Sequence, residues 1–153
     1  MRGVVDNQPL TDERGAYWPE QFTYQITFAG ITGANPVGNG TIVIQADAEF
    51  AIQETTYYFI DTANPTYARN AALVPDIAVL ITDTGSGRQF MNQNVPVESM
   101  FGTAQLPFVW PRPKILAASS TLQVQFVSTA NFGGNTYRLV LSFIGEKRYR
   151  KGV

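Results

Sequence analysis

Apolar residues that recur at every second position constrain this chain most. Phe22, Tyr24, Ile26 and Phe28 alternate with Thr23, Gln25 and Thr27. Only an extended strand places such residues on one side and their neighbours on the other. The pattern returns at Ile42, Ile44, Ala46 and Ala48 and continues through Phe50 and Ile52. That run is too long for one flat strand, so a turn or bulge is expected near Asp47 to Glu49. Thr55 to Ile60 is β-branched and aromatic and reads as a further strand. Ile77, Val79 and Ile81 form another, followed by a short one near Gln89 to Met91. Leu122, Val124 and Phe126, then Tyr137, Leu139, Leu141 and Phe143, give the last two. The Asn131-Phe132-Gly133-Gly134-Asn135 segment between them suggests a β-hairpin. Val140 and Ile144 fall on the opposite face, which implies a final strand covered on both sides.

Turn residues punctuate these runs. Gly30 to Gly40 reads as a loop, and Thr84-Gly85-Ser86-Gly87 as a turn. Residues 61–75 leave open a short helix around Tyr67 to Leu73. Pro96 to Gly102 has proline at its start and glycine at its stop, the arrangement of one helical turn. Leu106 to Lys114 carries three prolines and should be extended but poor at strand pairing. Residues 1–20 read as an extended N-terminal arm, broken by Pro9, the Thr11 to Gly15 turn and Pro19. Short strands separated by Gly, Pro and Asn turns, with no sustained helical period, predict an all-β chain. The expected fold is an antiparallel β-sandwich, jelly-roll-like, over residues 21–145, followed by a basic C-terminal tail at 146–153.

Composition narrows the chemistry. The 153 residues suit one domain and include neither cysteine nor histidine. Disulfides, thiolate or imidazole metal sites and Ser-His-Asp or Cys-His nucleophiles are therefore excluded. The carboxylates are scattered. Asp47 and Glu49 share a parity but read as a solvated strand end, not a facing catalytic pair. No calcium-loop spacing occurs. Thr84 to Arg88 lacks the Gly-Lys-Ser/Thr of a phosphate loop. No enzymatic activity, metal or cofactor is expected. Charged residues make up 15%, against roughly 25% in ordinary soluble domains, and the formal charge is −1. Such a surface suits burial against neighbours and argues against direct DNA contact. No window approaches the ~20 apolar residues of a membrane span, and the start has no signal-peptide core. Assembly in a cytoplasm is the corresponding expectation.

Three groups stand out as interface candidates. Tyr17 and Trp18 could pin the arm onto the domain's own edge or onto an apolar partner, and Lys147, Arg148, Tyr149 and Arg150 form a basic tail. That tail could meet phosphates or an acidic surface, such as Asp12-Glu13 of a neighbouring copy. Phe108, Trp110 and Arg112 lie on the proline strip, where stiffness reduces the entropy lost on docking. Phe108 could equally cap the domain's own core, a reading that suits Trp110 less than an interface role. Trp18, Tyr57, Tyr58 and Trp110 could instead stack on sugars, which keeps a carbohydrate-binding module of a fibre or spike as the alternative.

The C-terminal half carries a resemblance. Asp83-Thr84-Gly85-Ser86-Gly87-Arg88, Asn94-Val95-Pro96-Val97, Phe101 to Phe108, Pro111-Arg112-Pro113-Lys114 and Tyr137 to Lys147 follow in that order. Together they resemble small structural proteins of tailed-bacteriophage virions, with head decoration, minor capsid and neck or collar positions all compatible. The resemblance implies a homo-oligomer in the virion that docks on other head or neck proteins (major capsid protein, portal or connector). It supplies no catalytic residues.

Overall fold

The computed structural model describes residues 9–62, 76–128 and 136–150. These form two antiparallel sheets packed face to face, a β-sandwich. The elements are β1 (Leu10–Asp12), β2 (Gly15–Ile31), β3 (Val37–Val43), β4 (Glu49–Asp61), β5 (Ile77–Asp83), β6 (Arg88–Gln89), β7 (Val95–Pro96), β8 (Phe108–Leu116), β9 (Thr121–Ser128) and β10 (Tyr137–Tyr149). One sheet has the order β1-β2-β10-β4-β8. The other has the order β3-β9-β5-β6, with β7 also pairing β5.

The alternation sets the core as expected. In β5 and β9 every second residue is buried. Phe50, Ile52, Leu139, Leu141 and Phe143 from one sheet meet Val79, Ile81, Leu122, Val124 and Phe126 from the other. Aromatic edges join the layers, with Phe28 and Phe126 at 4.8 Å between centroids. A 3-10 turn at Val97–Ser99 follows Pro96 and seats Phe101 5.5 Å from Phe143. Val140 and Ile144, on the outer face of β10, are half-buried.

Three expectations change. β9 and β10 are not a hairpin, because they lie in different sheets. The long strands switch sheet at each step: β2, β4, β8 and β10 in one, β3, β5 and β9 in the other. Alternation shows that a strand has an inner face; it does not say which strand lies beside it. The Asn131 to Asn135 segment itself lies outside the described residues, as does the Tyr67 to Leu73 helix option. Next, residues 37–40 are not loop but the first half of β3. Gly38 and Gly40 point inward, where the Phe126 ring and Ile26 fill the space of a missing Cβ.

The third change concerns the ends. β2 begins at Gly15, and its partner β10 runs on to Tyr149, with Trp18 opposite Tyr149 and Pro19 opposite Arg148. Residues 15–20 and 146–149 thus belong to the sheet. Pro19 is tolerated because β1 covers β2 only over Gly15 to Tyr17.

The proline strip behaves as its chemistry dictates. β8 pairs β4 from Phe108 to Val109 and again from Lys114 to Leu116. Residues 110–113 make no ladder pair and bulge out opposite Gln53 of β4. Beyond Thr55, the edge of β4 is taken over by Gly102, whose N–H donates to Thr55 O at 3.0 Å and whose carbonyl accepts from Tyr57 N at 2.7 Å.

β10 and β4 also slip register between Ile144 and Gly145. There the strands approach so closely that a Cβ on Gly145 would collide with the carbonyl of Ala51. Gly145→Ala should lower stability by roughly 1–3 kcal/mol. Gly33→Ala, in open space without positive φ, should change it little. Urea denaturation of both variants checks this.

Candidate functional site

Most of the candidate interface residues meet at one end of the sandwich, where the β1–β2 turn, the start of β4 and the end of β10 converge. The turn is closed by Asp12 Oδ1, which accepts from Arg14 N at 2.8 Å. Register then places Glu49 beside Arg148. Arg148 donates to Glu146 through Nε at 2.9 Å and to Asp12 through Nη1 at 3.1 Å. Arg150 donates to Asp12 through Nη2 at 2.5 Å and to Glu49 at 2.6 Å. Its Nη1 reaches the Gly15 carbonyl at 3.2 Å. Arg14 adds a 3.0 Å contact to Glu49. Both guanidinium groups of β10 lie over the Tyr17 ring, at 4.5 Å for Arg148 and 5.4 Å for Arg150. Tyr17 is consequently buried.

The opposite face of the same strand end holds a second cluster. Lys147, only 3% exposed, donates to Asp47 at 3.0 Å and to Gln45. Its ammonium sits 4.1 Å from the Phe22 centroid. Tyr149 donates its hydroxyl to Asp47 at 3.1 Å. Burial, followed by Glu20 and Asp47, pushes the Tyr149 hydroxyl up to about 12. Burial likewise raises the Tyr17 hydroxyl above its ordinary value.

Residues 146–150 of the expected basic tail are therefore not a free cationic surface. Arg14, Arg148 and Arg150 face Asp12, Glu49 and Glu146 within the same chain, so charge is balanced locally. Asp12 is the partner foreseen for the tail, but it comes from the chain's own β1–β2 turn. The residues missed by sequence reasoning are Glu49, Glu146, Gln45 and Asp47 as partners. Their signal lay in the excess of cations at 147–150, which a sheet end must neutralise; the strand register that supplies the anions is non-local.

The remaining candidates form a separate group along β8. The Trp110 ring packs edge-on against Phe90 at 5.9 Å and Phe108 at 6.0 Å. Its indole N–H donates to Thr55 Oγ1 at 3.2 Å. Trp110 is half-buried and packs on the core, whereas Arg112 is exposed. Leu106 and Val109 beside it are 79% and 62% exposed. Trp18 is half-buried at the other end.

The Thr84 to Gly87 segment is a turn organised by Asp83, which accepts from Gly85 N at 3.0 Å and from Ser86 Oγ at 2.8 Å. Its amide thus faces inward to a carboxylate and not outward to an anion. A shallow groove beside it is lined by Arg14, Asp83, Ser86 and Ser120. No group of His, Cys, Asp or Glu able to hold a metal occurs among the described residues. No helix among them is long and apolar enough to cross a membrane.

No family model matches the chain, and no curated protein matches it. Among solved structures, the VP2 subviral particle of infectious bursal disease virus aligns with 96% of this chain and 43% of its own, at 10% identity and a TM-score of 0.34. The chain thus spans less than half the length of that neighbour.

The charge clusters make stability depend on acid. The Arg150 hydrogen bond, opposed by burial, holds the Asp12 carboxyl down at about 2 from 3.8. Lys147 lowers Asp47 in the same sense. A carboxyl with a depressed folded value contributes fully above its unfolded value and loses that contribution as pH falls through the folded one. Asp12→Asn should therefore melt below wild type above about pH 4, and the two curves should converge near about pH 2. Thermal melts across that window measure this.

Proposed function

We propose that this chain is a structural subunit of a tailed-bacteriophage virion. In this reading it oligomerises and docks on head or neck proteins as a decoration, minor capsid or collar component. The ordered set of C-terminal motifs that resembles such proteins carries the reading. Those motifs supply recognisable structural parts: the Asp83 turn, the 3-10 plug that seats Phe101, the proline bulge of β8 and the central strand β10.

The site chemistry fits a subunit better than a catalyst. Its charged groups are satisfied by one another, and its buried hydroxyl and indole groups have partners. The proline strip offers a partner an open surface, where Leu106, Val109 and Arg112 project beside a bulge that the domain's own ladder does not use. An exposed apolar pair beside an arginine on a stiff segment has the character of a docking anchor.

Point substitutions test this better than deletion of residues 146–153, which would cut into β10. Purified protein should rebind phage particles assembled without it. Leu106→Glu combined with Val109→Glu should weaken rebinding by about tenfold or more while leaving the melting curve near wild type. Undiminished rebinding by that variant would remove the strip from the docking surface. Failure of the wild-type protein to bind any particle component would remove the virion reading.

A further inference from the structure

The sandwich treats its sheet edges unequally. Natural sheets protect exposed edges with prolines, charges, bulges or covering strands. The β8 edge has Pro111, Pro113, Arg112, Lys114 and the bulge. The far edge of β5 is covered by β6 and β7. The β2 edge is covered by β1 at its start, carries Pro19 and Glu20 next, and ends in a bulge where Gly30 takes a φ of +69, so that protection sits at its two ends and Gln21 to Ala29 carry no charge. β3 has none of these devices. It pairs β9 without a register shift over Val37 to Val43 and is the terminal strand of its sheet among the described residues. No charged residue occurs anywhere from Gln21 to Ala46.

The hydrogen-bond pattern shows which groups β3 leaves unused. Just before the strand, Ser128 N donates to Pro36 O at 2.6 Å. Just after it, Ile44 N donates to Ser120 O at 2.8 Å, and Ser119 N donates to Ile44 O. Even-numbered residues therefore turn their N–H and C=O towards β9. In a pleated antiparallel strand the odd-numbered ones turn theirs the other way. Val37, Asn39, Thr41 and Val43 present that row to the open edge. Their side chains lie on the outer face, with Val37 61% and Val43 62% exposed.

We infer that the β3 edge is a pairing site for a second copy of this chain, joined antiparallel about a two-fold axis at Gly40. This register sets Val37 against Val43 of the other copy and Asn39 against Thr41. Every open-edge residue then faces another open-edge residue, and each facing pair exchanges two backbone hydrogen bonds. The side chains match as well: valine meets valine, and an amide meets a hydroxyl. Gly40 meets Gly40 at the axis, in the narrow, non-hydrogen-bonded position where a small residue fits best. A two-fold interface requires such self-complementarity, and the lack of charge means that no like charges meet. Docking joins the two β3-β9-β5-β6 sheets into one continuous sheet. This inference rests on reading the chain as an assembly subunit and names the surface used between copies.

The test uses the full chain in analytical ultracentrifugation. Thr41→Pro removes an N–H that the ladder to β9 does not use, at a position where an edge strand accepts proline. Wild type should sediment as a dimer or an even multimer. Thr41→Pro should weaken self-association at least tenfold with an unchanged circular dichroism spectrum. Val37→Glu alone should also weaken it, and Val37→Glu with Val43→Lys should restore it, because the register places each glutamate opposite a lysine. A wild type that stays monomeric, a folded Thr41→Pro that associates normally, or a double variant no better than Val37→Glu would each overturn the inference. Should Thr41→Pro misfold, the Val37 and Val43 series decides alone. Dimerisation without particle rebinding would sink the virion reading and leave this pairing standing.

Discussion

Strand β10 is the element on which the rest of this structure depends. It is hydrogen-bonded to β2 on one side and to β4 on the other along almost its whole length. Its inward residues Leu139, Leu141 and Phe143 are fully buried. Because the strand continues to Tyr149, it carries Lys147 and Arg148 into the sheet as well. A buried cation without partners would cost several kcal/mol, so those positions oblige the neighbouring elements to bring carboxylates. The short β1–β2 turn and the first residues around β4 meet that obligation. The ionic end of the molecule is thus a consequence of the length of its central strand.

The two faces of that strand end use the same solution differently. On the outer face, Arg148 and Arg150 share Asp12 and cover Tyr17, so the arginine planes act as apolar lids while their edges are hydrogen-bonded. On the inner face, Lys147 closes the core beside Phe22 and ties down Asp47. Residues 146–150, which look basic in the sequence, present little net charge in the fold.

Much of this frame was legible in the residues. The period of two located the long strands β2, β4, β5, β9 and β10 and most of their inward side chains, because burial on one face leaves a mark in each strand separately. The prolines at 111 and 113 announced a break in pairing, and residues 110–113 do leave the ladder. What stayed hidden was pairwise. That β10 lies between β2 and β4, and that β9 joins the other sheet, depends on contacts between distant segments that no local pattern encodes. The same ignorance concealed the partners of Lys147, Arg148 and Arg150, and it made Gly38-Asn39-Gly40 look like loop. Those glycines are strand residues whose missing side chains admit Phe126 and Ile26.

The position of β10 in the chain has a further effect, on the order of events in synthesis. Among the described strands, the middle of the larger sheet is the last to leave the ribosome. Until Tyr149 has emerged, β2 and β4 have no common neighbour, and none of the long strands has a sequence-adjacent partner to zip onto. Such non-local closure makes folding slow compared with helical or hairpin-rich chains. The nascent polypeptide must therefore stay soluble with β2 lacking its main partner, and the larger sheet must close after translation has passed β10. Its modest number of charges and its abundance of Thr, Asn and Gln then matter for the unfolded chain as much as for the finished surface.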